Sequence, residues 1–459
     1  MQVKIKCSSA KNLKTAQRTH THTHAMKKKR IEYDSKDELL LPQKYLRCTT
    51  SIVPLMVIGS DCIELIVQFM DTPEWIQFSY CSKELNRLKT AKRIMFNKKR
   101  TLLANIHGDS VLYYWKLCKG TLFNVSIANR KGVPSKYFEH FQGTIHTLDL
   151  SSNNHIDSSD FKYLTGIHTL IMDNCMFSGK KSNFYYLAGI YFLSMNYCRQ
   201  INARYLEYLR GIKVLSIRGC TNNGMNDLSA LEGIEILDVH DCIQLNDEAF
   251  AKLKNIHSLD IGCTNLSDKA LECLAKNVKM LKIDNCRYIT DNAFSRFKIT
   301  YLSMHGCCKL TDKALSHITG IHSLDISGCD QITDHGLSYL TGIHTLNAPT
   351  LGNLTDIGIS YLKGINTLNI SYCNNITDVA LSNLKGIRSL LVRNCNITDH
   401  GFSYLTGIQL LDMSGCIEIT NQGLSYLTGI RKLTMRRCEE GEITYTGISF
   451  LQGIEELNY

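Results

Sequence analysis

Apolar and polar residues alternate and recur on a nearly fixed period through the last two thirds of the chain. In residues 320–342, GIHSLDISGCDQITDHGLSYLTG, Ile321, Leu324 and Ile326 are separated by polar Ser323 and Asp325. Counting Ile321 as slot +0, the slot recurs at Ile343, Ile365, Ile387, Ile408 and Ile430. In the other direction it recurs at Ile299, Val278, Ile256, Ile234, Ile212, Ile190, Ile167 and Ile145. The steps are 21 to 23 residues, mostly 22, with Ile454 following Ile430 after 24. A period in the twenties predicts a solenoid, in which each turn buries its apolar side only against its neighbours.

Within one unit, Ser323–Ser327 has the two-residue period of a short strand with one face inward. Thr333 and Asp334 supply N-cap chemistry, Leu337 and Leu340 follow at helical spacing, and Gly342 suits the C′ position. Strand, turn, short helix and turn, repeated in register, predict a parallel sheet with right-handed crossovers. One face of that sheet has no second helical layer in the sequence to cover it, so it must be polar or bind something.

The pattern Ile-x-x-Leu-x-Ile-x-x-Cys-x-x-Ile-Thr-Asp-x-Gly-Leu-x-x-Leu resembles leucine-rich repeats of the cysteine-containing subclass, over residues 122–459. The resemblance implies an α/β horseshoe, with strands on the concave side and short helices on the convex side. The array is expected to begin at Leu122, Val125 and Ile127, with a first crossover helix over 134–141. It ends at Ile454–Tyr459 in a strand with no helix after it, an edge expected to stay open or be covered by a partner.

Cysteine is the unusual residue, with 19 in the chain. Twelve are assigned to slot +8: Cys175, Cys198, Cys220, Cys242, Cys263, Cys286, Cys307, Cys329, Cys373, Cys395, Cys416 and Cys438. Strand spacing would stack them about 4.8 Å apart as a buried ladder of small apolar groups. Leu351 and Asn153 fill the slot in two repeats, which a metal site or bridge would not tolerate. No cofactor or metal is expected, and so many unpaired thiols point to a reducing, intracellular compartment, cytoplasmic or nuclear.

The net charge of +10 is uneven. Residues 1–100 hold 20 Lys+Arg and 9 Asp+Glu; subtracting from 52 and 42 leaves 32 and 33, or −1, for the rest. A near-neutral array argues against a nucleic-acid cradle. Residues 1–50 read as a basic, disordered tail, in which Lys27–Arg30 follows alternating His20, His22 and His24. No run of about 18 apolar residues predicts a membrane span.

Residues 55–89 carry a second pattern. Ile63, Ile66, Phe69 and Met70 recur at helical spacing, Thr72-Pro73 opens a second helix with Trp75, Ile76 and Phe78, and Ser82 caps a third with Leu85 and Leu88 inward. Three short helices bury little surface alone and expect company. The stretch resembles an F-box, the helical motif that docks on a Skp-type adaptor of cullin–RING ubiquitin ligases. Ile58-Gly59-Ser60-Asp61 stands at the motif's opening and Cys81-Ser82-Lys83-Glu84-Leu85 at its later part, with Gly59 in place of the family proline and Leu85 in place of its tryptophan. The resemblance implies adaptor contacts through Ile58, Ile63, Ile66, Met70, Trp75, Ile76, Phe78 and Leu85. The alternative is a helical cap on the solenoid. Residues 90–121 read as a helical junction.

No constellation reads as an active site. Phosphate-binding loops are absent. His146, His168, His257, His322 and His344 share slot +1 and follow the copying of the unit; solvated positions at the strand edge explain them better than catalysis. Asp149, Asp238, Asp260, Asp325 and Asp412 share slot +4, a row rather than a matched acid–base pair.

The concave slots +2, +4 and +6 are the candidate site. Most hold Ser, Thr, Asn or Asp. Arg218, His240, Asp284, His305, Arg393 and Arg436 break the copy at +6, and Ile171, Phe192, Leu391 and Leu410 break it with apolar residues. Arg, His and exposed apolar groups together make a binding core; the expected contacts are Arg218, His240, Asp284, His305, Arg393, Leu410 and Arg436. The expected function is the substrate-recognition subunit of an SCF-type ligase, joining a Skp-type adaptor and cullin to an unknown target protein, with no enzymatic step of its own. A repeat scaffold without ligase chemistry is the alternative. The near-verbatim copying also resembles leucine-rich-repeat proteins of large DNA viruses, which implies host partners.

Overall fold

The computed structural model describes residues 145–459 apart from 154–155, 179, 222–225, 273, 275–276 and 439–442. Before 145 it describes Lys4–Ile5, Thr101–Leu103, Phe123–Ser126 and positions 128, 138–139 and 142–143. The chain divides into two units, 1–7 with 98–459 and 8–97. The F-box-like stretch and most of the expected basic tail lie outside the described residues.

The described array is one 18-stranded sheet with parallel pairing throughout, plus a two-stranded sheet of Ile156–Asp157 and Phe177–Ser178. Most strands are three residues long and carry slots +2 to +4. Leu324, at +3, pairs with Leu302 and Leu346 in the neighbouring turns, so the period of the sequence is the register of the sheet. Apolar slots form continuous buried rows: Ile321 at 2%, Leu324 at 1% and Ile326 and Cys329 at 0% exposure. Burying each such aliphatic side chain stabilises the turn by roughly 1.5–3 kcal/mol. Slots +2 and +4, such as Ser323 and Asp325, are half-buried on the other face.

The strands stop where the backbone turns left-handed at slot +7. Gly328 (φ 64°) and Gly306 (φ 67°) adopt that conformation freely; Tyr372 (φ 64°) and Arg437 (φ 57°) are held in it by the turn. Each crossover is a short α- or 3-10 segment. Thr333 caps one, its hydroxyl accepting from the His335 N–H, and Gly342 (φ 82°) ends it.

Helix starts are also tied between turns. Asp312 accepts the N–H of Thr333 at 2.8 Å on one oxygen and its hydroxyl at 2.7 Å on the other. Asp334 does the same for Thr355, Asp356 for Thr377, Asp378 for Thr398 and Asp399 for Thr420. The Thr-Asp pair therefore caps its own helix with the threonine and the next helix with the aspartate. Gly336 makes room for this row, since a Cβ there would meet the Asp312 carboxylate.

Three expectations change. Cys263 is not in the buried row: it sits at slot +7 with φ 55° and is half-exposed, and Thr264 occupies +8, 2% exposed. The Ile256 unit reaches its turn in the same number of residues, so the inward position falls on the threonine. The final strand Glu456–Asn458 is not an open edge, because Lys4–Ile5 pairs with it in parallel. Within 90–121, Thr101–Leu103 forms a strand paired with Phe123–Ser126, so the sheet starts one strand before the expected start of the repeats.

Candidate binding face

The buried slot +8 is a hydrogen-bonded ladder rather than a passive row. Cys198 donates its thiol to the carbonyl of Met172 at 3.1 Å, Cys220 to Met195, Cys329 to Met304 and Cys416 to Val392, each reaching slot +5 of the preceding turn. Asn153 and Thr264 reach instead the +5 carbonyl of their own turns, Leu150 and Ile261. Burial pushes the Cys220 thiol up to about 11 and the Cys242 and Cys416 thiols to about 12, so these sulfurs stay protonated donors at neutral pH. Among the described residues no cluster of three or more His, Cys, Asp or Glu could hold a metal ion, and no helix is long and apolar enough to cross a membrane.

The +2, +4 and +6 rows lie on the strand face that the sequence pointed to. Their polar groups bind one another along the sheet. Asn347 donates to Asp325 at 2.7 Å and Asn369 to Asn347 at 2.6 Å. Ser327 and Ser414 donate to Asp325 and Asp412 in their own strands. A short side chain at +4 thus fixes the backbone at +6 in the same strand and a side chain in the next.

The expected contact residues fall into two groups. Arg218, His240 and Arg393 pair with the +4 aspartate of the following turn. Arg393 Nη2 lies 2.6 Å from Asp412 Oδ2, and His240 Nδ1 lies 3.2 Å from Asp260. Arg218 Nε is 3.7 Å from Asp238, beyond hydrogen-bond reach. Asp284 accepts from the Ser303 hydroxyl and the His305 N–H. These four are partly occupied by the fold. His305 and Arg436 are exposed and Leu410 is half-buried. Burial pushes the Asp238 carboxyl up, with Asp260 adding to the effect and Arg218 opposing it.

Slot +2 held a signal that the sequence reading caught only at Phe192 and Leu410. Phe192, Val214, Ile236, Met280 and Tyr301 make an apolar stripe interrupted only by Ser258, with Ile236 43% and Met280 46% exposed. The next four turns carry Ser323, Thr345, Thr367 and Ser389 there. Reading slot +2 as a column would have found it. The slot +1 histidines are also not simply solvated: His146 stacks on His168 at 4.3 Å, His168 on Tyr191 at 4.7 Å and His322 on His344 at 4.6 Å.

A family model described as Leucine Rich repeat matches residues 252–275 and 319–340. No curated protein sequence matches the chain. Among solved structures, the TLR13–ssRNA13 complex is similar at TM-score 0.47 and 16% identity, over 69% of this chain and 56% of that one. An internalin (inlF) from Listeria monocytogenes str. 4b F2365 is similar at TM-score 0.47 and 18% identity, over 66% of this chain and 88% of that one. The chain therefore spans little more than half the length of the first. The two stretches matched by the leucine-rich-repeat model fall on units of the array, whose strands recur in one register from Ile145 to Asn458.

Proposed function

We propose that the protein is a recognition scaffold that holds a target protein on the concave face of its solenoid. The observation that carries the reading is the half-exposed strand face, whose buried side alone is packed by the crossovers. A row of half-exposed Ile236, Met280 and Tyr301 beside Arg218 and His240 has the composition of an interface core with a polar rim. The scaffold makes no bonds in its target; it supplies position.

The finer reading makes the protein the target-receptor subunit of a Skp–cullin–F-box ubiquitin ligase. Its support is the F-box-like pattern of residues 55–89 standing before the repeats in the chain. Ile63, Ile66, Met70, Trp75 and Ile76 would enter the adaptor. Co-purification of the full chain with a Skp-type adaptor, abolished by Ile66→Asp, is expected; wild-type chain that retrieves no adaptor rejects the ligase role and leaves the scaffold. Gly59 and Leu85, where the motif has proline and tryptophan, favour a second reading in which 55–89 caps the array. Deleting residues 55–89 alone, which keeps the Lys4–Ile5 strand on the last turn, separates them: loss of the folded array assigns a cap, and retention assigns a docking module.

A further inference from the structure

The concave rows change sign along the array. Slots +4 and +6 of the earlier turns carry six acids, Asp149, Asp173, Asp238, Asp260, Asp284 and Asp325, against two cations, Arg218 and Lys282. From the Ile387 turn onward the strand face carries Arg388, Arg393, Arg431, Lys432, Arg436 and Arg437 against three acids, Asp412 and, in the last strand, Glu455 and Glu456. Asp412 is 5% exposed and is held by Arg393 through Nε at 2.7 Å and Nη2 at 2.6 Å. Two of the five guanidinium N–H groups of Arg393 are thereby used and three remain. Arg431 and Lys432 touch Glu455 and Glu456 at 3.9 and 3.1 Å, but both pairs are half-exposed, and such pairs hold their partners weakly. Arg388, Arg436 and Arg437 are exposed and no ion pair engages them among the described residues. Half-buried Leu391 and Leu410, diagonal neighbours on adjacent strands, lie between the two arginine rows.

Alternate strands place Arg393 and Arg436 about 9.6 Å apart, and slots +1 and +6 lie about 16 Å apart along a strand. Cations at the corners and leucine in the middle fit a short peptide with carboxylates flanking an apolar side chain. A polynucleotide fits poorly, since the patch spans few strands and the aspartate rows beside it would repel a continuing phosphate backbone.

We propose that these last turns are the part of the concave face that selects the target, and that they take an acidic peptide segment carrying a leucine or similar residue. The proposal rests on the concave face being a protein-binding surface. Glutamates and arginines would meet through charge-assisted, bidentate hydrogen bonds.

The test uses the full chain and a fluorescent dodecapeptide of Glu-Glu-Leu repeats, with a Lys-Lys-Leu peptide and a dodecathymidylate as comparators, read by anisotropy. Binding of the Glu peptide alone is expected, weakening as salt rises from about 50 to about 300 mM. Arg436→Glu or Arg388→Glu should weaken it at least about tenfold, with Lys269→Glu on the helical side as the unchanged control. Among the described residues the Arg436 side chain makes no hydrogen bond or ion pair, so an unaltered melting temperature verifies the fold of that variant. Binding insensitive to both arginine variants, tighter binding of the oligonucleotide, or binding that appears only when Glu439, Glu440 and Glu442 are replaced by Gln overturns the proposal. A target captured from lysate that stays bound to Arg436→Glu, but is lost on Ile236→Asp, overturns this site while leaving the concave-face reading standing.

Discussion

The turns beginning at Ile321, Ile343 and Ile365 and the turns from Ile190 to Ile299 have the same inside and different outsides. In both, slots +0, +3 and +5 are buried to a few per cent, and Leu324 is packed as tightly as Leu237. On the strand face the first set shows Ser323, Thr345 and Thr367 where the second shows Phe192, Val214, Ile236, Met280 and Tyr301. The first set links Asp325, Asn347 and Asn369 by side-chain amides; the second uses contacts such as the imidazole of His240 against the Asp260 carboxylate. The contrast separates two jobs. The core rows hold the turns together and are copied; the strand face contributes less to stability and is where the turns differ, as expected of a surface that meets partners.

The strongest test of that shared core is alkaline titration. The buried thiols have folded values raised above the ordinary value of 9, to about 11 in Cys286 and about 12 in Cys329. Their contribution is present in full below pH 9 and lost as pH climbs through about 11–12, where the unfolded chain binds fewer protons. Both sets of turns should therefore lose structure together in that window, read by circular dichroism. Below it, mass mapping of alkylation should label exposed Cys308 well before Cys286 or Cys329; early labelling of the buried cysteines would break the ladder.

Next in size, Leu324→Ala and Leu237→Ala should each cost about 2–5 kcal/mol by denaturant unfolding. A difference between them larger than the spread of such substitutions would show that the two cores are not equivalent. Arg393→Ala should cost about 1–2 kcal/mol, because the 5%-exposed Asp412 loses its cation while the arginine itself is half-exposed. Asp334→Ala should cost about 1 kcal/mol, leaving the Thr355 N–H and hydroxyl to water. The smallest effect is expected from Ser323→Val, within about 0.5 kcal/mol in stability. A loss of several kcal/mol there would show the strand face to be structural and remove the division of labour.

The period, the strand direction, the buried slots and the helix caps were all legible in the chain, because they depend on one repeated local pattern. Leu324 at +3 and Cys329 at +8 needed no distant information to be placed inward. Cys263 was not legible in the same way, because slots +7 and +8 are adjacent and only the left-handed turn at Cys263 puts Thr264 inward. The seven expected contact residues were found as departures from the copy, but sequence could not say which of them the fold already uses.

Sequence by itself determined the solenoid, since a turn that cannot bury its own apolar side must stack on the next. Only the tertiary structure decided what neighbours do across the stack: that Cys329 donates to Met304, that Asp312 caps the helix beginning after Thr333, and that Arg393 is half spent on Asp412. Those contacts join residues some twenty positions apart in sequence whose atoms meet only once the strands lie side by side. Which donors remain for a partner is a remainder after that pairing, and a remainder is visible only when all the pairs are in place.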